Sequence, residues 1–247
     1  MISGACIKKT AGTFLFLLLA AGAFGQISSG RIVFERKTNL MKRMGDNPRM
    51  KNFISEENKY RIEKFELIFN DSMCVFRPME DDEPDPTGFM KYLTTRNTVY
   101  QNISQREKTI FMDLWGTEAI IKDSMDTRRW KITESKRVIS GYNCRKAIWE
   151  INDSTRVYAW YALEIVPSIG PEGFEGLPGA ILGMATEDGS VIYFAKEVKA
   201  MPTQAATIQA NTKGKEVYTE EQLKAQLMQR MGQWVKPRDI EMMFLWL

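Results

Sequence analysis

The sequence of 247 residues contains no histidine. Histidine is the commonest general base and the commonest transition-metal ligand, so its absence excludes a Ser-His-Asp or Cys-His arrangement. The three cysteines form no Cys-x-x-Cys pair, and no glycine-rich phosphate loop with its lysine is present. Carboxylates such as Asp113, Glu118 and Glu150 look like ordinary polar residues. We therefore predict no catalytic residue, no metal site and no cofactor, and an enzyme that uses a lysine or a carboxylate is the less favoured alternative.

The charge of the chain argues against nucleic acid as a partner. The formal net charge is only +3, and the basic residues form no cluster of the kind that binds a phosphate backbone. The acidic, proline-containing stretch at residues 81–86 lacks the ligand spacing of a cation site, so we predict a solvated loop there. Beyond the N-terminus no apolar run reaches the length of about 20 residues that a membrane-spanning helix needs.

The N-terminus has the three parts of a secretory signal peptide. Two lysines precede an apolar run at residues 13–21, and small residues lead to a cleavage point between Gly25 and Gln26. A membrane anchor is the alternative, but the run is too short to cross about 30 Å of hydrocarbon. We therefore expect residues 1–25 to be removed and residues 26–247 to be exported, either to the periplasm or out of the cell.

Two cysteines, Cys74 and Cys144, follow the predicted signal peptide. In an oxidising compartment they could form a disulfide. They could equally be two buried, unpaired thiols, because free cysteine packs as a small apolar residue. The sequence cannot fix the Cα spacing that a disulfide requires, so both alternatives stay open.

Short apolar or alternating stretches, separated by turn residues, predict a series of β-strands. They lie at residues 31–35, 60–69, 73–76, 99–102, 109–114, 119–121, 130–132, 142–151, 156–165, 180–184 and 191–198. The stretch 156–165 is apolar on both faces, which is typical of a strand in mid-sheet that is covered on both sides. We predict a mainly β fold of the α+β class: a single domain with a curved antiparallel sheet, or an incomplete barrel or sandwich.

Helical signals are few. Thr219 and Gln222 have the spacing of a capping box and predict a helix over residues 219–231, with an apolar face against the sheet. Short helices or a loop are expected near residues 39–55, which are rich in methionine. The chain ends in six apolar residues, 242–247, which we expect to pack on the sheet, either as core or as a plug that a ligand displaces.

The most distinctive segment is dense in glycine, proline and apolar residues and runs from Gly170 to Leu182. Within it, Gly176, Leu177, Pro178 and Gly179 form a turn motif. Proline presets the second position of a type II turn, and glycine supplies the positive φ of the third. The turn is expected to lead the next strand into the core, and contact with a ligand is the alternative.

This segment resembles the motif of the GLPGLI family, exported proteins common in Bacteroidetes. The family pattern Gly-Leu-Pro-Gly-Leu-Ile-Leu corresponds to residues 176–182, with Ala180 in place of a leucine. Further blocks that resemble the family lie at residues 30–32, 130–132, 139–147, 160–161 and 170–171. The resemblance implies a bacterial phylum and a location outside the cytoplasm. It brings no activity and no catalytic residue to this chain.

Three hypotheses about function follow. The favoured one is a non-enzymatic binding module of the cell envelope for an apolar ligand or a protein partner, which the many aromatics and the apolar tail motivate. An apolar cavity would support the ligand version, and a solid core would count against it. The alternative is a structural or accessory protein of an outer-envelope transport system, which an exposed apolar patch would favour. An enzyme without histidine would need a cleft that holds close carboxylates or a perturbed lysine.

Overall fold

The computed structural model describes residues 25–44, 54–80, 94–114, 116–152, 155–233, 235 and 237–244. Residues 1–24 of the predicted signal peptide and the acidic stretch at residues 81–86 lie outside the described residues, as do most of the methionine-rich region and the last three residues of the apolar tail. The predictions for those parts therefore stay predictions.

One antiparallel sheet of eleven strands forms the molecule, in the order β6-β5-β4-β3-β2-β1-β11-β10-β9-β8-β7. The strands are β1 (Gly30–Asn39), β2 (Tyr60–Phe69), β3 (Met73–Pro78), β4 (Thr98–Asn102), β5 (Glu107–Leu114), β6 (Thr117–Ser124), β7 (Trp130–Ile139), β8 (Tyr142–Asn152), β9 (Thr155–Ala162), β10 (Ala180–Thr186) and β11 (Val191–Ala200). The predicted mainly β fold with a curved antiparallel sheet is confirmed, and the sheet is not closed into a barrel.

Local sequence explains the hairpins between neighbouring strands. The side-chain oxygen of Asn70 accepts bonds from the backbone N–H groups of Ser72 and Met73, which folds β3 back on β2. Gly189 has a φ of +68°, and its N–H donates to the carbonyl of Thr186, which closes the predicted turn between β10 and β11. β1 pairs with β11, so the first and last strands lie together in the interior of the sheet.

The sheet bends strongly between β11 and β7. Four strand-to-strand steps separate these strands, about 19 Å in a flat sheet. Yet Ser140, directly after β7, donates its hydroxyl to the carbonyl of Ala195 on β11 at 2.7 Å. Gly183 on β10 lies under this bend, and a Cβ there would be 2.8 Å from Cδ1 of Ile139, whose side chain would have to shift. The bend brings the end of β7 over the outer face of β10 and β11.

The predicted mid-sheet strand is β9, which lies between β8 and β10. Its core side is fully buried through Val157, Ala159 and Tyr161. Its other side is only half-buried, and cations rather than apolar groups cover it. Lys146 lies 3.9 Å from the ring centroid of Tyr158, and Arg137 lies 5.3 Å from a Trp160 ring centroid.

The main core lies on one face of the sheet, which we call the core face, and a small second cluster of Ile68, Val75 and Ile208 lies on the other face. Its largest fully buried side chains include Phe34, Phe65, Phe69, Phe76, Tyr161 and Tyr193. The rings of Phe65 and Phe76 stack 5.0 Å apart, and the ring of Tyr193 meets both nearly edge-on. Alternation explains the arrangement, since every second residue of a strand points to the same face.

Three α-helices are present in the described parts of the chain: α1 (Leu40–Met44), α2 (Glu220–Met231) and α3 (Pro237–Met243). The predicted capping box of Thr219 and Gln222 is confirmed. Leu223 and Leu227 bury the apolar face of α2. None of the described helices combines the length and apolar character needed to cross a membrane.

The start of the apolar tail belongs to the same core. Phe244 is buried beside Ile240, and both lie in the main apolar cluster with Leu223 of α2. This packing agrees with the core version of the tail prediction for the part that is described.

Cys74 and Cys144 are free thiols, so the disulfide alternative is not realised. Cys74 lies on β3 and Cys144 on β8, and five strands separate them in the sheet. Cys74 donates to Oε1 of Gln101 at 3.3 Å, and Cys144 donates to the carbonyl of Tyr142 at 3.6 Å. Burial raises the pKa of both thiols to about 12, which makes them poor nucleophiles.

Candidate functional site

Residues 168–180 cross the core face between β9 and β10, and we call them the crossing segment. Phe174 and Leu177 are buried in the core. Side chains from two distant strands hold the backbone: Gln101 on β4 donates to the carbonyl of Gly173 at 3.0 Å, and Trp130 on β7 donates to the carbonyl of Glu175 at 2.8 Å. The segment therefore fills the space above the sheet with the chain's own residues.

The turn motif ends the crossing segment, but its geometry differs from the type II turn that was predicted. Gly179 has the expected positive φ, at +146°. Its N–H donates to the carbonyl of Leu177, two residues back, which is a three-residue turn around Pro178. The N–H of Ala180 donates instead to the carbonyl of Ile165, so the bond that defines a type II turn is replaced by one to the neighbouring chain segment.

Close backbone packing explains the glycine. A Cβ at Gly179 would lie 2.1 Å from the carbonyl oxygen of Ala162. No side chain fits there without a shift of the main chain. By contrast Gly176 is exposed and its φ is +93°. The motif thus serves to deliver β10 into the sheet, as the structural interpretation expected, and it lines neither of the two clefts described below.

A row of three polar residues interrupts the apolar core face. Arg36 on β1 is directly opposite Glu63 on β2 and Tyr193 on β11. Two N–H groups of Arg36 donate to Oε2 of Glu63, at 3.1 and 2.6 Å, and a third donates to the hydroxyl of Tyr193 at 3.2 Å. The guanidinium also lies over the ring of Phe65, 4.5 Å from its centroid. All three side chains are buried.

Glu172 approaches this row from the crossing segment. The hydroxyl of Tyr193 donates to its Oε1 at 2.6 Å, and Arg36 forms an ion pair with the same oxygen at 3.5 Å. The side chain is 0% exposed, and Oε2 has no hydrogen-bond partner among the described residues. Its φ of +52° is unusual for a residue with a side chain. Arg36, Glu63, Glu172 and Tyr193 together form what we call the buried cluster.

The two carboxyl groups of the buried cluster differ in how well neighbouring cations compensate their negative charge, and their pKa values shift in opposite directions. Burial works against ionisation of Glu63, but Arg36 and then Arg61 outweigh it and hold its pKa below the usual range. For Glu172 burial dominates, and Arg36 and Tyr193 only partly oppose it, so the pKa rises to about 7. Burial also raises the pKa of Tyr193 well above its usual value. The surroundings of Glu63 therefore favour its ionised form, and Glu172 can hold a proton near neutral pH.

Two clefts lie near charged residues. One borders the buried cluster, where Arg36, Thr38, Arg43, Thr94, Thr95 and Tyr193 line it, and it is too narrow to admit a water molecule. The other is an open cleft of about 490 Å³ beside α2, which is mostly acidic and contains the ion pair of Lys108 with Asp126. No group of three or more potential ligands in the described ranges could hold a metal ion.

The residues of the buried cluster were not among the predicted site residues. Glu172 was part of the segment that was singled out, but a glutamate between glycines gives no sign of burial. For Arg36 and Glu63 the alternation of buried and exposed positions along the strands does give a signal of burial. Arg36 has the same phase as Ile32 and Phe34 along β1, and Glu63 has the same phase as Phe65 along β2. In contrast Asp113, Glu118 and Glu150 are exposed, as expected of ordinary polar residues.

Comparison with known proteins gives one match to a family model. Residues 148–183, from β8 into β10 and including the whole crossing segment, match a family described as "Protein of unknown function (Porph_ging)". No curated protein shows a significant match to the chain. The family match carries no activity.

Solved structures with a similar fold include two of PNGF-II, in the C2 and P21 space groups. They are 16% and 14% identical to this chain, with TM-scores of 0.53 and 0.54, and cover 81% and 80% of it. The chain spans only 32% of the length of PNGF-II in each. An uncharacterized conserved protein from Thermus thermophilus is more distant, at 8% identity and a TM-score of 0.41, with 78% of this chain and 91% of that chain covered. At these identities the similarity to PNGF-II shows the fold alone.

Proposed function

We propose that this chain is an exported, non-catalytic module that binds a protein partner in the bacterial envelope. The observation that carries the proposal is a group of exposed apolar side chains at one end of the sheet. Val138 on β7 is 66% exposed and Leu163, just after β9, is 50% exposed. Val138 pairs with Asn143, and the neighbouring pair of Cys144 with Ala162 places Leu163 at the same end of the sheet. A contiguous exposed apolar patch marks an interaction surface, and we propose that these two side chains are part of one.

The edge of the sheet supports the same proposal. The opposite edge strand, β6, is covered, because the backbone of Tyr218 exchanges bonds with Ile120 and Lys122. No described residue pairs with the outer side of β7, which leaves its backbone groups available to a partner. A bulge between Ile132 and Lys136 breaks the regular edge and limits unselective pairing with other sheets.

An apolar ligand inside the sheet is the less favoured version of the proposal. Phe174 and Leu177 of the crossing segment already fill the core face, the cleft beside the buried cluster is too narrow to admit a water molecule, and the open cleft beside α2 is mostly acidic. A ligand would have to displace the chain's own residues. A solid core counts against an apolar ligand, so the filled core face favours a protein partner.

The similarity to PNGF-II supports a role as an accessory unit. In that protein the matching region is about a third of a longer chain. Because this fold forms one part of a larger protein there, we propose that the present chain also acts together with another protein. Membership of the GLPGLI family, cleavage between Gly25 and Gln26, and a periplasmic or secreted location are parts of this proposal that the motifs in the sequence support.

Site-specific photo-crosslinking in the native cells tests the proposal. A benzoylphenylalanine at position 138 should give one discrete crosslinked product, and Leu163→Asp should abolish it. The same probe at Met201, an exposed apolar residue in another part of the chain, should give none. Equal products from both positions, or a product that Leu163→Asp leaves unchanged, would contradict a partner surface at Val138.

A second candidate function is catalysis by Glu172. A carboxylic acid whose pKa is about 7 has the value that general acid–base catalysis requires. Access argues against this function, since the carboxyl is fully buried and the neighbouring cleft is too narrow for water. Glu172→Gln distinguishes the two: a partner-binding module keeps its crosslink at position 138, and an enzyme loses turnover of its substrate.

A further inference from the structure

Arg36 cannot neutralise both carboxylates of the buried cluster equally. Two of its N–H groups donate to Glu63, and the N–H group nearest Glu172 donates to the hydroxyl of Tyr193. Glu63 also accepts a bond from Thr94 and forms an ion pair with Arg61 at 3.0 Å. Glu172 has one hydrogen bond and one longer ion pair, both on Oε1. The negative charge of Glu172 is therefore the poorly compensated one.

Among the described residues, the charged or titratable groups that act most strongly on Glu172 each come from a different element packed against it. These groups are Arg36 on β1, Glu63 on β2, Arg43 on α1 and Tyr193 on β11. β4 contributes the neutral amide of Gln101, which holds the adjacent Gly173. Arg43 has no hydrogen bond or ion pair in the described part of the chain and acts only through its charge. An ionised Oε2 would thus be buried without a donor, which is costly.

Because Glu172 lies within the crossing segment, a change in its charge should affect how firmly that segment is held on the sheet. Glu172 belongs to the short turn Pro171–Gly173, and this turn contacts the sheet chiefly through β3 and β4. The bond from Tyr193 is the single hydrogen bond of its side chain. Phe174, two residues on, packs against Trp130 and Trp149. If Glu172 moves away from Arg36 and Tyr193, the turn and the contacts of Phe174 with the two tryptophans should therefore move with it.

We propose that Glu172 makes the crossing segment a pH-dependent strap, which is held on the core face while the carboxyl is neutral and is released more often when it ionises. The strap is a property of the fold and does not depend on which partner the module binds. Release exposes Phe174, Leu177 and the aromatic core beneath them.

The difference between the pKa of Glu172 in the closed and open states sets how strongly the opening of the strap depends on pH. The pKa of Glu172 is about 7 when buried, against 4.5 for a solvated glutamate. The open state binds fewer protons between these values, so opening becomes more favourable as pH rises and levels off above about pH 7. Between pH 5.5 and pH 8.0 the opening equilibrium of the strap should increase by about 25-fold.

Hydrogen exchange of the purified protein tests the strap. After correction for intrinsic exchange rates, peptides that cover residues 168–182 should lose about 25-fold in protection from pH 5.5 to pH 8.0. Glu172→Gln keeps an acceptor for Tyr193 but cannot ionise, so its protection should be the same at both values. Glu175→Gln, the same change at the neighbouring buried glutamate, should behave like the unmodified protein.

A second variant keeps the test valid if Glu172→Gln fails to fold. Tyr193→Phe removes the donor that favours the ionised form of Glu172. The loss of protection should therefore move to higher pH. The proposal is overturned if protection in the unmodified protein does not change with pH, or if Glu172→Gln retains the full change.

Discussion

The hydroxyl of Tyr193 donates a 2.6 Å hydrogen bond to Glu172, and this bond joins the last strand of the chain to the segment that crosses the sheet. Both side chains are completely buried, and Arg36 contacts both. A buried polar contact of this kind contributes little net stability compared with an apolar replacement, but it selects one way of packing. In this protein it is one of three contacts, with those from Gln101 and Trp130, that hold the crossing segment on the core face.

The first prediction concerns global stability and pH. Because the buried pKa of Glu172 is raised, its contribution to stability is present at low pH and is lost as pH rises toward 7. Glu172→Gln should therefore gain about 2 kcal/mol relative to the unmodified protein on going from pH 5.5 to pH 8.0. Urea unfolding at both pH values measures it, and Glu175→Gln should show no such relative gain.

Replacing Arg36 should be severely destabilising. Arg36→Met leaves Glu63 and Glu172 buried near each other without their shared cation, and we expect a loss of about 3–5 kcal/mol in the free energy of unfolding. Arg31→Met is the matched control, since Arg31 also lies on β1 and pairs with a glutamate of β2, at 2.6 Å, but is partly exposed. It should cost about 1 kcal/mol or less. Equal losses in denaturant titrations would refute the importance of the buried cluster.

The turn at Gly179 should tolerate no side chain. Gly179→Ala places a Cβ against the Ala162 carbonyl, and we expect a loss of more than about 2 kcal/mol. Gly141→Ala is the control, because Gly141 has a φ of +85° but nothing within 4 Å of its Cβ position. That variant should lose about 1 kcal/mol from backbone strain alone. Thermal unfolding measures both losses. If Gly141→Ala loses more stability than Gly179→Ala, close packing is not what requires glycine at position 179.

Both thiols should be free and unreactive in the folded protein. Without reductant, neither Cys74 nor Cys144 should be alkylated by iodoacetamide at pH 8, since both are buried and their pKa values are about 12. After unfolding in urea, mass spectrometry should show two alkyl groups on the chain without its signal peptide. A product that resists alkylation even when unfolded would mean that a disulfide forms after all.

Local patterns in the sequence identify the strands but not their arrangement. Every predicted strand is present, because alternation and turn residues act over short distances, as at Asn70 and Gly189. The pairing of β1 with β11 joins residues more than 150 positions apart, and no local signal encodes it. The bend that brings Ser140 to Ala195 is a nonlocal contact, and the close approach of Ile139 to Gly183 beneath it has no signal in the sequence.

The buried cluster was unpredictable for the same reason. Arg36 and Glu63 break the apolar face of two predicted strands, which indicates a buried charge pair once β1 and β2 are known to be neighbours. Tyr193 and Glu172 join that pair only through the nonlocal pairing of β11 and the path of the crossing segment. The pKa of Glu172 depends on all four side chains, and therefore on the complete fold.

The titration of Glu172 tests the account most directly. Carbon-13 NMR of side-chain carboxyl groups, with Glu172 assigned by the signal that disappears in Glu172→Gln, gives its pKa in the folded protein. We predict a transition near pH 7, about 2.5 units above the value of 4.5 for a solvated glutamate. A carboxyl signal that titrates below pH 5 would contradict a poorly compensated buried charge, and with it the pH-dependent strap.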